Sequence, residues 1–153
     1  MPSLIDQAVA MAVASVRAGG GPFEALVVKD GAVIASGVNQ VVRSADPTAH
    51  AEIVAIREAC RALRDFRLTG CDVYCSCEPC PMCLGALYWA HPARIFFAAS
   101  RHDAAQAGFD DEFIYEQIAA AVSGRAIPMR QLAFSGAASP FEEWARKPDK
   151  TRY

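Results

Sequence analysis

The sequence has no long apolar run, and no stretch of its 153 residues is hydrophobic enough over enough length to span a membrane. It also lacks the basic segment that opens a secretory signal, since Asp6 precedes the first apolar run and no Lys or Arg does. Positive charge is not in excess, because 15 Lys and Arg residues stand against 17 Asp and Glu residues, a formal net charge of −2. We therefore expect a cytoplasmic protein that binds neither a membrane nor a nucleic acid.

The chain is also too poor in cysteine for a scaffold held together by disulfides. Its 6 cysteines are few for this length, and Cys75, Cys77, Cys80 and Cys83 crowd into one stretch. Such crowding is typical of a metal site in a reducing compartment. With 53% hydrophobic residues, residues 1–153 can bury the core of a single domain and an oligomer interface as well.

Two short stretches carry residues of chemical interest. The first is His50-Ala51-Glu52, and the second is Pro79-Cys80-Pro81-Met82-Cys83. Together they spell H-x-E…P-C-x-x-C, the signature of zinc-dependent base deaminases. A catalytic zinc takes three protein ligands and keeps a fourth position for water. His50, Cys80 and Cys83 complete that set, and Glu52 is left to move protons.

The spacing of these residues predicts that two helix N-termini meet at the metal. A proline on each side of Cys80 favours a helix start there, which makes Cys80 and Cys83 neighbours in the first turn. The positive end of a helix favours thiolates, the form that binds metal. Thr48 is the candidate N-cap of the other helix. His50 and Glu52 can both face the metal only if His50 lies at the irregular start of that helix.

The cysteine cluster has simpler interpretations. Cys77, Cys80 and Cys83 spell C-x-x-C-x-x-C, a spacing that also occurs in iron–sulfur sites and in structural zinc sites. Neither a cluster nor a structural zinc explains His50 or Glu52. The sequence therefore favours a catalytic zinc, with a non-catalytic metal module as the alternative from a different class.

Apolar periodicity predicts helices alternating with strands after an initial hairpin. The predicted helices cover residues 4–16, 49–62, 80–89, 113–118 and a segment that begins at 140; the predicted strands cover 23–29, 32–38, 72–77, 94–99 and 129–134. We therefore expect an α/β fold, a three-layer α/β/α sandwich with one mixed five-stranded sheet.

Longer stretches around the two motifs resemble a known family. They are Gly20-Gly21-Pro22-Phe23, Asp46-Pro47-Thr48-Ala49-His50-Ala51-Glu52, Ser76-Cys77-Glu78-Pro79-Cys80-Pro81-Met82-Cys83-Leu84-Gly85-Ala86, Asp103-Ala104-Ala105 with Ala107-Gly108-Phe109-Asp110-Asp111, and Ser139-Pro140-Phe141. On these residues nearly the whole chain resembles the small bacterial guanine deaminases of the cytidine deaminase-like superfamily. The zinc motif belongs to the whole superfamily, whereas residues 108–111 and the C-terminal tyrosine are typical of guanine deaminases.

The resemblance implies a specific reaction, the zinc-dependent hydrolysis of guanine to xanthine and ammonia. It implies one Zn²⁺ per subunit on His50, Cys80 and Cys83, with Glu52 as the catalytic proton shuttle. It adds Asp111 as a substrate contact that can also assist proton transfer. The remaining positions implied to contact the base are Phe23, Asn39, His50, Ala51, Trp89 and Tyr153.

The resemblance also implies a homodimer in which residues 139–153 are exchanged and cover the partner's site. From the residues alone, Asn39 is more simply a turn residue at a strand end and the C-terminal tail more simply a disordered segment. Both assignments therefore depend on the resemblance.

Glu24 departs from the family pattern, which more often has a small residue there. If the strand alternates, Glu24 faces away from Phe23; otherwise its carboxylate lies near the mouth of the pocket and changes the substrate. The alternative functions are therefore deamination of cytosine, cytidine, another aminopurine or a triazine, and deamination of adenosine in transfer RNA. The last would need a basic surface that this composition does not provide.

Overall fold

A computed structural model of the protein describes residues 3–153. The chain forms two compact units, one that runs to Ile114 and one that covers Tyr115–Tyr153. The helices are α1 Leu4–Arg17, α2 Val41–Ser44, α3 Ala51–Leu63, α4 Pro81–Ala90, α5 Arg101–Gln106, α6 Asp111–Ala119 and α7 Ser139–Arg146, with a 3-10 turn at Val122–Gly124; the strands are β1 Glu24–Lys29, β2 Ala32–Val38, β3 Cys71–Cys77 and β4 Arg94–Ala99.

The four strands form one mixed sheet in the order β2-β1-β3-β4. β1 pairs antiparallel with both β2 and β3, whereas β3 and β4 are parallel. The β1–β2 hairpin turns through Asp30 and Gly31, whose φ angles of +50° and +79° are those of a tight primed turn. The initial hairpin predicted from the sequence is therefore confirmed.

The two faces of the sheet carry different helices because side chains alternate along a strand. Leu26 and Val28 of β1 form a cluster with Ala8 of α1. Their neighbours Ala25 and Val27 point to the other face, where the larger core packs around α3 and α4. That core contains Ala51, Ala55 and Ala59 of α3, Val73 and Cys75 of β3, and Leu87 of α4, all fully buried.

α3 lies unusually close to β2 at Gly37. A Cβ at this position would stand 2.1 Å from the backbone oxygen of Ala51 and 2.4 Å from the backbone nitrogen of Ala55. Only glycine permits such an approach. The contact holds the N-terminal turn of α3, which carries His50 and Glu52, directly against the sheet.

The prediction of a fifth strand over 129–134 is wrong, since those residues form no strand and the described sheet has four. The segment contains no β-branched residue, and its apolar side chains Met129, Leu132 and Phe134 are exposed. An extended segment becomes a strand only when another strand pairs with it.

Three local features also differ from expectation. Thr48 does not cap α3, because the N-cap is His50 and Thr48 instead bonds the Asp46 carboxylate from its own backbone nitrogen at 2.8 Å. Residues 41–44 form the short helix α2 in a stretch expected to be irregular. α5 was not predicted, although Ser100 and Asp103 form its capping box, a signal visible in the sequence.

The second unit consists of the end of α6, the 3-10 turn and α7. The backbone nitrogen of Ala126 donates to the Gln117 side chain at 2.6 Å. Trp144 of α7 meets Tyr153 edge to face with ring centroids 6.4 Å apart. Large apolar side chains are exposed along it, including Ile127, Leu132, Phe134 and Phe141.

Within residues 3–153, no helix combines the length and the apolar character that a membrane crossing requires.

Candidate metal centre and the cavity beside it

Two helix N-termini converge on one point. His50 is the N-cap of α3 in an extended conformation, and Cys80 is the N-cap of α4 with Pro81 in the first turn. Cys83 lies in that same turn and donates its backbone N–H to the Cys80 sulfur at 3.5 Å. As an N-cap, His50 lies outside the helical spiral, so Glu52 can reach the same point from within α3.

The three side chains have the geometry of a tetrahedral zinc site. His50 Nδ1 lies 3.5 Å from Cys80 Sγ and 3.5 Å from Cys83 Sγ. Zinc bonds to nitrogen and sulfur of ordinary length, set at the tetrahedral angle, would place those atoms about 3.6 Å apart. Among the described residues, these three ligand atoms all lie within 4.8 Å of one another. The donor set therefore fits zinc with one position left open.

The two thiols of this site differ in proton affinity. The Cys83 thiol and then His50 hydrogen-bond the Cys80 sulfur and lower the pKa of Cys80 to about 4. The Cys80 sulfur in turn raises the pKa of Cys83, and burial raises it further. One thiolate is therefore present before a metal arrives, and Cys83 gives up its proton on binding.

Glu52 is the buried carboxyl group of this centre, with 6% of its surface exposed. Burial is the main cause that raises the pKa of Glu52 above its usual range, and a hydrogen bond to Cys83 opposes the shift. A carboxyl group of raised pKa holds a proton more readily, so it can both accept one and return it. Glu52 thus combines the position and the acidity that a proton shuttle needs.

A cavity of about 980 Å³ opens beside the metal centre. It brings together Phe23, Asn39, His50, Glu52 and Asp111, which come from four separate places in the sequence. Its size is at the upper end of the range for small-molecule sites.

One polar side chain of the cavity wall, that of Asn39, is held in place by a backbone group. Asn39 Oδ1 accepts the backbone N–H of Val41 at 3.2 Å, which fixes the plane of the amide. At the start of α6, Asp110 accepts the backbone N–H of Phe113 at 3.3 Å. Asp110 therefore serves the helix end, and Asp111 faces the cavity, where burial raises its pKa.

The other three predicted positions do not line this cavity. The Ala51 side chain is fully buried in the core behind α3. Trp89 lies near the end of α4 with 64% of its surface exposed. Tyr153 belongs to the second unit, beside Trp144. Roles for these three residues in base binding remain predictions.

Residues 2–99 match the family described as the cytidine and deoxycytidylate deaminase zinc-binding region. The match contains both halves of the metal centre and covers more than half of the chain. The chain belongs to this zinc-binding deaminase family.

Comparison over the full length narrows the relationship. The chain is 51% identical to the guanine deaminase of Bacillus subtilis over 99% of its own length and 97% of that protein. The X-ray structure of a B. subtilis guanine deaminase superposes with a TM-score of 0.94, at 52% identity, over 97% of this chain and 96% of that one. A guanine deaminase from Nitrosomonas europaea superposes at 0.67 over 72% and 66%, with 32% identity.

The sequence match to deaminases of transfer RNA covers only part of this chain. The tRNA-specific adenosine deaminase of Aquifex aeolicus is 45% identical over 78 residues, which are 51% of this chain and 52% of that protein. The resemblance to bacterial guanine deaminases proposed from the sequence is confirmed by the full-length comparison.

Sequence reasoning missed several residues of the deaminase's cavity wall. The Phe109 ring meets the Phe23 ring edge to face, with centroids 4.8 Å apart. Glu78 also lines the cavity and accepts the backbone N–H of Arg101 at 2.9 Å. Phe109 lies in a stretch that supported the family resemblance, next to the acidic pair, so its place beside Asp111 could have been inferred. Glu78 lies in the resembling stretch that contains Cys80 and Cys83, but its hydrogen bond to Arg101 has no signal in the sequence.

Proposed function

We propose that this protein hydrolyses guanine at C2 to give xanthine and ammonia. The observation that carries the proposal is the juxtaposition of the His50–Cys80–Cys83 centre, the buried Glu52 and Asp111 in one cavity. The full-length similarity to guanine deaminases supports guanine over other bases.

His50, Cys80 and Cys83 hold the ion in this proposal. When bound, Zn²⁺ supplies a strongly acidified water in its open fourth position. Glu52 would accept one proton from the water as its oxygen bonds to C2, and would pass that proton to N3 of the base. Glu52 would then move the second proton from the new hydroxyl at C2 to the amine, so that the C2–N bond breaks, ammonia leaves and xanthine remains. Glu52 is buried beside the metal ligands, so its carboxyl group is kept away from bulk water.

The base would lie between the aromatic wall and the polar side chains of Asn39 and Asp111. Phe23 and Phe109 provide an apolar edge for a planar ring. The Asn39 amide, anchored through its oxygen, offers its N–H groups to ring acceptors. Asp111 accepts from the ring N–H and amine donors that guanine carries and that cytosine arranges differently. A site built for such bonds rejects analogues that lack them.

The first test assays the zinc-loaded protein on guanine, adenine, cytosine, cytidine, guanosine and transfer RNA, with ultraviolet absorbance and ammonia release as the two readouts. Xanthine and ammonia from guanine alone would support the proposal. Turnover of another base in place of guanine would support the zinc chemistry and contradict the assignment of guanine as the substrate. Turnover of transfer RNA alone would instead support the activity of the tRNA-specific adenosine deaminases, which match 51% of this chain.

Asp111→Asn tests the contact with the base. We expect KM for guanine to rise by about tenfold or more, because a neutral amide accepts less well from the base and places an N–H group against its donors. Steady-state kinetics from pH 6 to 9 measures this. A change confined to the alkaline or acid limb of kcat, with KM unchanged, would instead assign Asp111 to proton transfer.

The proposal includes a homodimer in which residues 139–153 of each chain close the partner's cavity. Ile127, Leu132, Phe134 and Phe141 are exposed in the second unit, and a partner would remove them from water. Tyr153 would then supply a ring at the cavity mouth of the other copy. The chain would behave as one deaminase domain over residues 1–153 with an exchanged tail.

Two finer expectations belong to the same proposal. The packing of α1 on one face of the sheet and α3 with α4 on the other supports a three-layer α/β/α arrangement. The six cysteines are all free thiols, which supports residence in the reducing cytoplasm.

A further inference from the structure

Glu24 is a buried acid that the reaction does not use. It begins β1 with only 3% of its surface exposed. Its backbone N–H donates to the Ser76 hydroxyl at 3.0 Å. Within residues 3–153, no hydrogen bond or ion pair reaches its carboxyl group, and burial alone raises the pKa of Glu24 to about 7. Burial of this kind favours the protonated form of a carboxyl group.

The side chain lies on the face of the sheet that α1 covers. Glu24 shares that face with Leu26 and Val28, which pack against Ala8. One turn after Ala8, Ala12 is 5% exposed on the same side of α1. As the alternation of the strand predicts, Glu24 does not line the cavity.

The adjacent residue connects this buried acid to the active site. Phe23 immediately precedes Glu24 and lines the cavity. Its carbonyl accepts the backbone N–H of Asn39 at 3.3 Å, and its ring contacts Phe109. α1 ends beside the same wall, where Ser15 is another lining residue. A shift at Glu24 therefore moves the wall that the base must touch.

Among residues 3–153, no charged side chain contributes to the pKa of Glu24. β2 carries no titratable side chain. The ionisable groups on the other elements of this face are Asp6 and Arg17 of α1, Asp72 and Tyr74 of β3 and Arg94 of β4. Asp72 and Arg94 pair with each other at 2.6 Å, and none of the five contributes to the pKa of Glu24.

We propose that Glu24 is a proton-linked positioning residue. Its uncharged form packs beneath α1 and holds Phe23 and Asn39 in the binding geometry. Its ionisation loosens this packing between β1 and α1. The inference rests on the proposed function only for its kinetic test. The sign follows from the raised pKa of Glu24. The unfolded chain ionises Glu24 in the usual carboxyl range, so the folded state loses stability as pH rises from that range to about 7. Above that range the loss is complete and constant.

The effect on guanine binding follows from the population of the protonated form. If only that form binds well, the apparent KM rises by up to about tenfold between pH 6 and pH 8. Glu24→Gln keeps the shape and removes the proton, so its KM should stay level. kcat should respond much less, because Glu24 touches neither the base nor the metal ligands.

The test compares wild type with Glu24→Gln as zinc-loaded full-length protein, with Glu116→Gln as the exposed control. Carboxyl ¹³C NMR should show a resonance with a midpoint near pH 7 that Glu24→Gln removes and Glu116→Gln leaves in place. The ratio of wild-type to Glu24→Gln KM should rise through the same pH range, and unfolding in urea should show the matching loss of stability. A Glu24 resonance that titrates in the usual carboxyl range overturns the proposal.

A Glu24 resonance near pH 7 with a KM ratio that stays flat also overturns it, because the acid would then be buried but not coupled to the wall. Absence of guanine turnover in all variants would count against the proposed function. Even then, the resonance and the urea series would still decide whether Glu24 is proton-linked.

Discussion

At the scale of single residues, Cys80 and Cys83 differ in proton affinity although their side chains are identical. The hydrogen bonds that stabilise a thiolate on Cys80 come from Cys83 and His50, so only one of the two sulfurs can readily be charged in the absence of metal. His50 also holds its proton more tightly, chiefly because it bonds Cys80. Zinc binding must displace these protons.

We therefore expect zinc binding to the metal-free protein at pH 7 to release about one to two protons, one from Cys83 and a fraction from His50. Calorimetric titration in buffers of different ionisation enthalpy measures the number. Affinity should increase with pH through the neutral range. Cys83→Ser would serve as the control, with weaker binding and a smaller release. Binding without proton release would contradict the assignment of one thiol and one thiolate.

Glu52→Gln should retain one zinc per chain and lose about 10²- to 10⁴-fold in kcat, the usual contribution of a general acid–base group. Metal analysis and single-substrate kinetics check the two parts separately. Glu58→Gln provides the matched control, because Glu58 lies on the same helix but is exposed and paired with Arg61. Near wild-type turnover in Glu52→Gln would remove the proton shuttle from the mechanism.

The residues of the metal centre could be predicted from the sequence because their spacing is local. Cys80 and Cys83 are one helical turn apart, and His50 and Glu52 are two residues apart. The cavity wall is different, since Phe23 and Phe109 meet only after the chain has folded. Their contact has no local signal, and only the family resemblance led to Phe23.

At the scale of secondary structure elements, the position of the α3 N-terminus depends on one glycine of β2. Gly37→Ala should push α3 away from the sheet and lower the free energy of unfolding by about 3 kcal/mol, because its methyl group would meet backbone atoms that cannot rotate away. Zinc affinity should fall with it, since His50 moves with α3. Urea denaturation and a zinc competition assay measure the two effects.

Gly124→Ala is the matched control for that substitution. A Cβ at Gly124 meets no atom within 4 Å, so its stability and zinc affinity should stay close to wild type. A Gly37→Ala variant as stable as Gly124→Ala would show that α3 can shift without cost.

Four strands were predicted correctly and one was not, for a physical reason. Residues 24–29, 32–38, 71–77 and 94–99 pair with one another inside the first unit, so local apolar patterns and long-range pairing agree. Residues 129–134 have the apolar content of a strand but no pairing partner among the strands of the sheet. A sequence pattern records the side chains and not the neighbouring backbone.

At the scale of the whole molecule, the exchange of the tail can be tested by complementation. A full-length Glu52→Gln chain lacks the proton shuttle, and a chain truncated after Ala138 lacks the tail. Each alone should be inactive on guanine. Co-expressed, they should recover a measurable fraction of wild-type turnover, because one hybrid cavity combines the intact Glu52 with a tail from its partner.

The control for this experiment is a truncated chain that also carries Glu52→Gln, co-expressed with full-length Glu52→Gln. It should remain inactive. Light scattering should give the mass of a dimer for the full-length protein. Full activity of the truncated chain alone would show that residues 139–153 do not close the cavity.

The sequence by itself determined the chemistry of the centre, since ligand type, ligand spacing and the proline-marked helix start are properties of neighbouring residues. It also determined most of the elements, because apolar periodicity is local. Only the tertiary structure decided what lies beside the metal, how closely α3 approaches Gly37, and that Glu24 is buried. These features depend on the distance between segments far apart in the chain, which packing sets and residue order does not record.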